Sequence, residues 1–309
     1  MFRKLLESLE AVFEPQFDDV QFVSHDVFFL VYEKSKKPIR YSFDIEEETL
    51  INGIKTHNRY KLVISLELIS TDSKNTFVFN VEVLDSEYEL DKRLTKQHLL
   101  IKQLSELTNK LSFAIDSRGA IQKVLNYEEL KKKWERLEIE LKYRHIGKLS
   151  HAYIDAIGEK INNLSAFTAD FSQYRLFGFL FNGLLQLSGD SGRPSQRKRV
   201  FKNYINYLPL RVNESITFLE ENEHTNELKY KIGGNLISLQ GEEAKKLASY
   251  FDYYNFQEKT LFLKAYDGEY VIDKHTAMIK SGWLTINLTN NNEYTRTMKI
   301  HLKQINYGN

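Results

Sequence analysis

Alternating apolar and polar positions dominate the first part of the chain. Short β-rich runs cover His25 to Tyr32 and Ile39 to Ile45. The run from Lys61 to Ile69 puts one apolar set on a single face, formed by Leu62, Ile64, Leu66 and Leu68. After the polar residues 70–73, the alternation resumes over residues 75–83. Two alternating runs joined by a short polar turn predict an antiparallel hairpin.

The hydrophobic period becomes helical at two places further along. From Leu94 to Leu107, leucines recur at helical spacing, which predicts a helix. A hairpin is predicted next, with strands over residues 111–115 and 120–125. Asn126 is the expected N-cap of a second helix, and Glu129 would complete a capping box. This second helix carries one apolar stripe, formed by Leu130, Trp134, Leu137 and Leu141.

Residues 147–187 predict two more helices, the second running from Phe171 to Leu187. Apolar side chains cover more than one stripe of that helix, so we expect it either to be buried on several sides or to dock on a partner. Spacings of four and three residues keep together a core-facing stripe, formed by Phe177, Phe181 and Leu184. Phe179 lies away from this stripe and is the expected partner-facing residue. Residues 188–194, which are rich in Gly, Ser and Asp, mark the clearest linker.

Beyond the linker, the pattern is mostly that of strands. The sequence predicts a short helix from Gly241 to Phe251, and strands over residues 215–219, 228–232 and 235–239. Asp267 and Gly268 are the expected type I′ turn of a hairpin over residues 260–272. A last hairpin joins residues 283–288 to residues 294–305. In its second strand one apolar set faces one way, formed by Tyr294, Met298, Ile300 and Leu302.

These elements predict an α+β fold, with two curved antiparallel sheets or one long split sheet packed on a central helical segment. The N-terminal half, residues 1–190, would contain a sheet over residues 25–125 and helices over residues 126–187. The C-terminal half, residues 191–309, would be antiparallel β-structure with one short helix. The sequence leaves open whether the two halves are independent domains.

Two parts of the chain carry a family resemblance. The first is the run Lys110–Ile121 (KLSFAIDSRGAI), followed by a helix, and the second combines Leu208–Ser215 (LPLRVNES) with Tyr266–Asp273 (YDGEYVID). They resemble uncharacterised bacterial curved-sheet proteins that are similar in outline to lipoprotein-carrier folds. The resemblance covers most of residues 40–305. It implies a curved sheet that shelters helices and carries a lipid, and it brings no catalytic residues.

Composition narrows the classes of function. The 309 residues include 43 basic and 42 acidic side chains, so the formal charge of +1 gives no general attraction to nucleic acid or anionic membranes. The lack of cysteine excludes disulfides, zinc–thiolate sites and cysteine nucleophiles. The first 13 residues predict an amphipathic helix rather than a signal peptide, with apolar positions at Phe2, Leu5, Leu6, Leu9, Val12 and Phe13. No run reaches the roughly 20 apolar residues of a membrane span, so we expect a cytoplasmic protein.

No motif in the sequence indicates a reaction. The run Gly189–Gly192 (GDSG) has the letters of a serine-protease nucleophile loop, but a polar linker explains it better. His151, Asp155 and Glu159 share one helix face and could hold a metal, although a solvated face is the simpler interpretation. Glu46–Glu48 fit a solvated turn better than a calcium loop. We therefore predict no catalytic residues, no metal and no cofactor.

Two clusters are candidates for binding a partner. The basic residues Arg197, Lys198 and Arg199 precede several aromatic residues, a combination that can hold single-stranded nucleic acid or an acidic protein surface. The balanced charge of the whole chain argues against nucleic acid. Tyr253 and Tyr254 belong to an aromatic run that serves either core packing or an interface. With Phe179, these are the predicted partner-binding residues.

The sequence therefore predicts a non-catalytic bacterial protein that binds another protein inside the cell, as an adaptor, chaperone or assembly component. Two alternatives remain open. One is a carrier of a hydrophobic small molecule or lipid within the curved sheet. The other is a hydrolase whose carboxylates and histidines are dispersed along the chain. The sequence defines neither the partner nor the ligand nor the oligomeric state.

Overall fold

The computed structural model describes residues 27–72, 76–173, 175–291 and 293–306. The predicted N-terminal amphipathic helix lies outside these residues. Within them the chain forms thirteen strands and six α-helices. The strands are β1 Val27–Phe29, β2 Ile39–Ile51, β3 Ile54–Thr71, β4 Phe77–Glu89, β5 Lys110–Ile115, β6 Ile121–Val124, β7 Gln186–Ser188, β8 Ser195–Ile205, β9 Leu208–Asn222, β10 Glu227–Ile237, β11 Phe262–Asp273, β12 Ile279–Thr289 and β13 Tyr294–Ile305.

Most of the helices lie between β6 and β8 in the sequence. A 3₁₀ turn, Lys92–Leu94, precedes the first helix of the chain, which lies between β4 and β5. The helices are α1 Thr95–Leu107, α2 Tyr127–Arg144, α3 Lys148–Ile161, α4 Leu164–Gln173, α5 Arg175–Leu180 and α6 Gly241–Tyr253. In α2 the predicted stripe faces inward, because Leu130, Trp134 and Leu141 are buried and Leu137 packs against them.

One antiparallel sheet of eleven strands joins the two halves of the chain, in the order β6-β5-β4-β3-β2-β13-β12-β11-β10-β9-β8. The junction is the pairing of β2 with β13, which runs from Tyr294 opposite Ile51 to Ile305 opposite Arg40. Strands β1 and β7 form a separate antiparallel pair. The α+β prediction is confirmed, and the sheets are one large and one small.

The large sheet curls so that its two edge strands approach each other. Laid flat, eleven strands would separate the edges by about 48 Å. Helix α4 has 10 residues, which span about 15 Å, yet it contacts both β6 and β8. The sheet therefore forms a trough, with α4 and α5 between its edges.

The two faces of the sheet differ in polarity. The inner face is apolar at the centre of the sheet, where the buried residues include Phe43, Ile45, Leu284, Ile286, Met298 and Ile300. The outer face carries polar side chains in cross-strand rows. One such row crosses five neighbouring strands, with Glu269, His301, Asp44 and Lys61 as its polar members and Trp283 between Glu269 and His301. The period-2 alternation of the strands thus builds one dry and one wet face.

The predicted single helix from Phe171 to Leu187 is wrong. Helix α4 ends at Gln173, α5 ends at Leu180, and β7 begins at Gln186. Gly183 adopts a φ of 65°, a left-handed conformation that ends helical structure. Asn182 then pairs with Ala120 as an antiparallel bridge. Contacts with the sheet therefore override the helical tendency of this apolar segment.

The predicted hairpin turn at Asp267 and Gly268 is also wrong, because both residues lie inside β11. Gly268 stands opposite Ile232 on one side and Leu284 on the other. A Cβ atom at Gly268 would overlap the carbonyl oxygen of Trp283 and lie 3.0 Å from Ile232 Cδ1. Glycine is therefore needed here for close strand packing rather than for a turn.

Two shorter predictions, at Glu46–Glu48 and at Asn126, are also wrong. Glu46–Glu48 lie inside β2, not in a turn, and each of the three carboxylates has a basic partner. Asn126 makes no side-chain capping bond; its Oδ1 accepts from the Ser112 amide at 2.9 Å and its Nδ2 donates to the Lys110 carbonyl at 3.0 Å.

Candidate binding site inside the trough

The trough is filled by a segment that we call the plug, residues 164–173 and 175–188, which contains α4, α5 and β7. Its buried apolar side chains are Phe167, Phe171, Leu176, Phe177, Phe179, Leu180, Phe181, Leu184, Leu185 and Leu187. The predicted core positions Phe177, Phe181 and Leu184 are indeed buried. The plug therefore supplies the apolar material that closes the core of the curved sheet.

Phe179 is completely buried, which contradicts its expected partner-facing position. Its ring stacks on Tyr270 with the centroids 4.7 Å apart. Its Cε1 atom would lie only 3.1 Å from a Cβ atom at Gly282, so the missing side chain of this glycine leaves room for the ring. Phe179 is buried because it lies on a short helix that faces β11 and β12, and not on the long helix that the sequence predicts.

A cluster of buried charges connects the plug with β8 and β9. Alternation along β8 turns Arg197 and Arg199 inward and leaves Lys198 exposed. Glu214 on β9 is buried, and its Oε1 accepts a 2.8 Å hydrogen bond from Arg197 Nε. Arg199 is also buried, and its guanidinium lies over the ring of Phe201, 5.2 Å from the centroid. The structure therefore brings together two of the three predicted basic residues.

Polar groups of β11 and the plug complete this cluster. The hydroxyl of Tyr266 donates to Glu214 Oε2 at 2.5 Å. The side-chain amide of Asn182 donates to Glu214 Oε1 at 3.2 Å and to the hydroxyl of Tyr270 at 3.0 Å. We refer to Arg197, Arg199, Glu214, Tyr266, Tyr270 and Asn182 together as the arginine cluster.

The electrostatics of the cluster favour the charged forms of Glu214 and Arg199 and the neutral forms of Tyr266 and Tyr270. Burial by itself would raise the pKa of Glu214, but Arg197 and Arg199 lower it below its usual value. Burial would lower the pKa of Arg199, but the negative charge of Glu214 raises it. Burial also raises the pKa of both Tyr266 and Tyr270, so their hydroxyls remain hydrogen-bond donors.

The cluster holds more positive than negative charge. Two guanidinium groups, Arg197 and Arg199, face the single carboxylate of Glu214. In addition, the Nη2 atom of Arg197 is buried and has no hydrogen-bond partner among the described residues. An unbalanced buried charge is costly. The site is therefore chemically suited to accept one more negative group.

The plug supplies the oxygens that the donors of the cluster now contact. Arg197 Nη1 donates to the carbonyl oxygen of Asn182 and, at 3.4 Å, to that of Gly183. The hydroxyl of Tyr270 donates to the carbonyl oxygen of Phe179 at 3.1 Å. These plug oxygens are neutral, whereas guanidinium groups bind carboxylate or phosphate oxygens more strongly.

A second ion pair lies elsewhere on the inner face of the sheet. Arg296 on β13 contacts Glu47 on β2 at 3.2 Å, with one positive and one negative group. The Arg296 guanidinium also lies over the ring of Tyr204, 5.0 Å from the centroid. The arginine cluster, by contrast, holds two guanidinium groups and one carboxylate.

The predicted aromatic site divides between core and surface. Phe251 and Phe256 are buried and pack with Tyr294. Tyr254 stacks on Phe256 with the centroids 5.6 Å apart. Tyr253 is 78% exposed. Partner binding by Tyr253, Tyr254 and Lys198 stays a prediction.

His151 and Asp155, which the sequence places on one helix face with Glu159, both contact Lys142 in the structure. His151 Nε2 lies 3.0 Å from the carbonyl oxygen of Lys142, and Asp155 forms an ion pair with the Lys142 ammonium group at 2.7 Å. Across the described ranges, no group of three or more histidine or carboxylate side chains is arranged to hold a metal ion.

A shallow groove of about 280 Å³ lies on the outer face, and its lining includes Asp44, Glu269 and His301. The hydrolase alternative requires such a convergence. However, Asp44 is bonded to Arg59 and Glu269 lies 3.2 Å from Lys229, so both carboxylates have basic partners. Both carboxylates of the groove are therefore already neutralised by a basic side chain, whereas the arginine cluster has an excess of positive charge.

The acidic and tyrosine members of the cluster, Glu214, Tyr266 and Tyr270, are not among the residues predicted from the sequence. Glu214 carries a usable signal, because it shares the inward register of β9 with Leu210, Val212 and Ile216. A charged residue in an apolar register indicates a buried partner. Asn182 carries no comparable signal, since only the return of the plug to the sheet places it there.

No protein-family model and no curated protein matches the sequence. Among solved structures, the chain is similar to one described as "Lipid-protein interactions in lipovitellin", with a TM-score of 0.45 and 10% identity. That match covers 87% of this chain and 25% of the other. A second is DynF from the dynemicin biosynthesis pathway of Micromonospora chersina, with a TM-score of 0.17, 6% identity, and coverage of 94% and 91%. Neither likeness supports a function for this chain.

Proposed function

We propose that this protein binds a single-chain amphipathic molecule with an anionic head group, such as a long-chain carboxylate, inside the trough. The excess of positive charge in the arginine cluster is the observation that carries the proposal. A carboxylate between Arg197 and Arg199 would balance the two guanidinium groups together with Glu214. The function is binding, without a chemical step on the ligand.

The apolar chain of the ligand would take the place of plug side chains. Phe177, Phe179 and Phe181 now cover the inner face of the sheet. Burial of apolar surface is the main driving force for such binding, at about 25 cal/mol per Å². An alkyl chain that extends along the same part of the inner face could replace much of the contact that these three side chains make.

Movement of the plug is the step that admits the ligand. The plug is bounded by Asn162–Asn163 on one side and by residues 189–194 on the other, and neither stretch is helix or strand. Carbonyl oxygens of the plug accept hydrogen bonds from Arg197 and Tyr270, the donors that an anionic head group would use. Ligand and plug would thus compete for the same atoms.

Titration with a fluorescent fatty acid, 11-dansylaminoundecanoate, tests the proposal. We expect saturable binding with a blue-shifted emission, displaced by palmitate but not by hexadecanol, which has the same chain without the charge. Arg199→Met should weaken binding at least tenfold. Arg211→Met is the matched control, because Arg211 lies on β9 but pairs with Glu243 outside the cluster.

Hydrogen exchange gives an independent readout of the plug. Addition of palmitate should increase amide exchange in α4 and α5 while the central strands β2 and β13 remain protected. Absence of binding, equal displacement by the alcohol, or equal losses in the Arg199 and Arg211 variants would contradict the proposal.

A further inference from the structure

Trp283 lies on the outer face of the large sheet, among polar side chains. Its neighbours along β12, Gly282 and Leu284, are buried, and the alternation of the strand turns Trp283 outward. The ring is half-buried there, whereas the other tryptophan of the chain, Trp134, is buried in the core. A large aromatic ring on a wet face leaves apolar surface in contact with water. A ligand with an apolar face of its own would cover that surface.

The groove on the outer face begins beside this ring. Its lining includes Ser281 and Ser42, which stand on either side of Lys303 in the cross-strand row next to that of Trp283. Serine side chains are short and the indole is long, so the two rows differ in height. The groove has a volume of about 280 Å³. Sites for drug-sized ligands begin at roughly 300 Å³, so this groove suits a ligand of about one small ring.

Hydrogen-bonding groups surround the indole on both sides. Glu269 on β11 and His301 on β13 are directly opposite Trp283, and Asp44 on β2 is the next residue in the row. Directly opposite residues of an antiparallel pair have Cβ atoms about 4.5–5.5 Å apart. A ligand on the indole would therefore meet carboxylate acceptors and an imidazole, which can donate or accept.

The two carboxylates of the groove are held in place and their charges are balanced. Arg59 Nε donates to Asp44 Oδ1 at 2.9 Å, and this hydrogen bonding lowers the pKa of Asp44, so its carboxylate stays an acceptor. Glu269 lies 3.2 Å from the ammonium group of Lys229. A carboxylate has about four acceptor sites, so each ion pair leaves capacity for hydroxyl groups. The exposed ammonium group of Lys303 attracts an anion only weakly.

We propose that the groove beside Trp283 binds one pyranose ring of a neutral carbohydrate. A pyranose has a flat face of C–H groups, which matches the accessible part of the indole, and a rim of hydroxyl groups, each of which donates and accepts. The rim matches Glu269, His301 and Asp44. A cation would also be attracted to an indole ring, but the carboxylates that would select it already have basic partners. The site lies on the opposite face of the sheet from the trough, so it is independent of the proposed ligand there.

Fluorescence titration of a Trp134→Phe variant, in which Trp283 is the remaining tryptophan, tests the site. The probes are maltose, cellobiose, lactose and N,N′-diacetylchitobiose, with AMP and tetramethylammonium chloride as the competing chemistries. We expect a saturable change in emission with at least one of the four disaccharides, and the same affinity for the wild type by isothermal titration calorimetry. No saturable response to any of the four would overturn the proposal. So would saturation by AMP or by tetramethylammonium without a response to the disaccharides.

Substitutions locate the binding in the groove. Trp283→Ala should weaken disaccharide binding at least tenfold, and Trp283→Phe, which keeps a smaller ring, should weaken it less. Glu269→Ala should also weaken it. Asp267→Ala is the matched control, because Asp267 faces outward two positions earlier on β11 but does not line the groove.

Circular dichroism should show that all these variants are folded, and Trp283→Ala should bind 11-dansylaminoundecanoate as the wild type does. Equal losses in the Glu269 and Asp267 variants, or full disaccharide binding by a folded Trp283→Ala, would place the carbohydrate elsewhere and overturn the proposal.

Discussion

Phe179 and Tyr270 are joined twice, by stacked rings 4.7 Å apart and by a hydrogen bond from the Tyr270 hydroxyl to the Phe179 carbonyl at 3.1 Å. The ring contact is apolar and the hydrogen bond is polar, so the same two residues belong both to the apolar core and to the polar arginine cluster. Through them, the core of the plug and the arginine cluster become one structure.

The burial of Phe179 predicts a large loss of stability on truncation. Phe179→Ala should lower the free energy of unfolding by about 3–5 kcal/mol, because it removes the stacked ring and leaves a cavity above Gly282. Phe179→Asp should prevent folding, since it adds a buried charge. Urea denaturation and circular dichroism measure both effects. Phe29→Ala is the control, because Phe29 is 74% exposed, and its effect should stay within about 0.5 kcal/mol.

The arginine cluster predicts a stability that depends on Glu214. Glu214→Gln leaves two buried guanidinium groups without a carboxylate, so unfolding at pH 7 should become easier by about 3–5 kcal/mol. Glu242→Gln is the control, because its pair with Lys245 is exposed. A loss no larger than that of the control would show that Glu214 does not hold the cluster together.

The lowered pKa of Glu214 gives this effect a definite pH dependence. A carboxyl group whose pKa is lower in the folded state contributes stability above its unfolded pKa of about 4.3, and this contribution is lost as the pH falls through the folded value. The difference between the wild type and Glu214→Gln should therefore be largest above about pH 5 and shrink in acid. Unfolding curves from pH 7 down to pH 3 measure it, and a constant difference would contradict the assignment.

The packing at Gly268 predicts that any side chain there destabilises β11. Gly268→Ala places a Cβ atom against the Trp283 carbonyl and Ile232, and overpacking of this kind costs about 1–3 kcal/mol. Gly192→Ala is the control, because its nearest neighbour is the side-chain oxygen of Asp190 at 3.3 Å in a surface turn. Equal melting temperatures for the two variants would argue against the close approach of the strands.

The environment of Trp134 predicts its fluorescence. Trp134 is buried between α2 and α3, and its Nε1 atom would lie 3.1 Å from a Cβ atom at Gly158. In a Trp283→Phe variant, which isolates Trp134, emission should be blue-shifted and protected from iodide. In a Trp134→Phe variant the remaining Trp283, on the outer face, should be more readily quenched. Trp134→Ala should cost about 3–5 kcal/mol.

The local hydrophobic pattern was sufficient to predict the elements in which buried residues recur with a single helical or strand period. The β3–β4 hairpin, α1, α6 and the β12–β13 hairpin lie close to where alternation or helical spacing predicts them. The α2 stripe was predictable for the same reason, because Leu130, Trp134 and Leu141 recur at helical spacing. In these elements the contacts that decide the structure are near in sequence.

The plug and the arginine cluster could not be predicted in this way. From Leu176 to Leu187 most positions are buried, so the apolar pattern carries no period that separates a helix from broken structure. Asp267 and Gly268 have the letters of a turn, but neighbouring strands on both sides hold them extended. Local propensity is weak beside the packing of a central strand.

The amino-acid sequence by itself determined the class of the fold, the inward and outward faces of the long strands, and the absence of cysteine chemistry. Only the tertiary structure decided that β2 pairs with β13, that the sheet curls round the plug, and that Asn182, Arg197 and Glu214 meet. The physical reason is the range of the interactions. Side-chain periodicity is set by neighbours a few positions away, whereas a buried charge cluster exists only after distant segments have closed around it and excluded water.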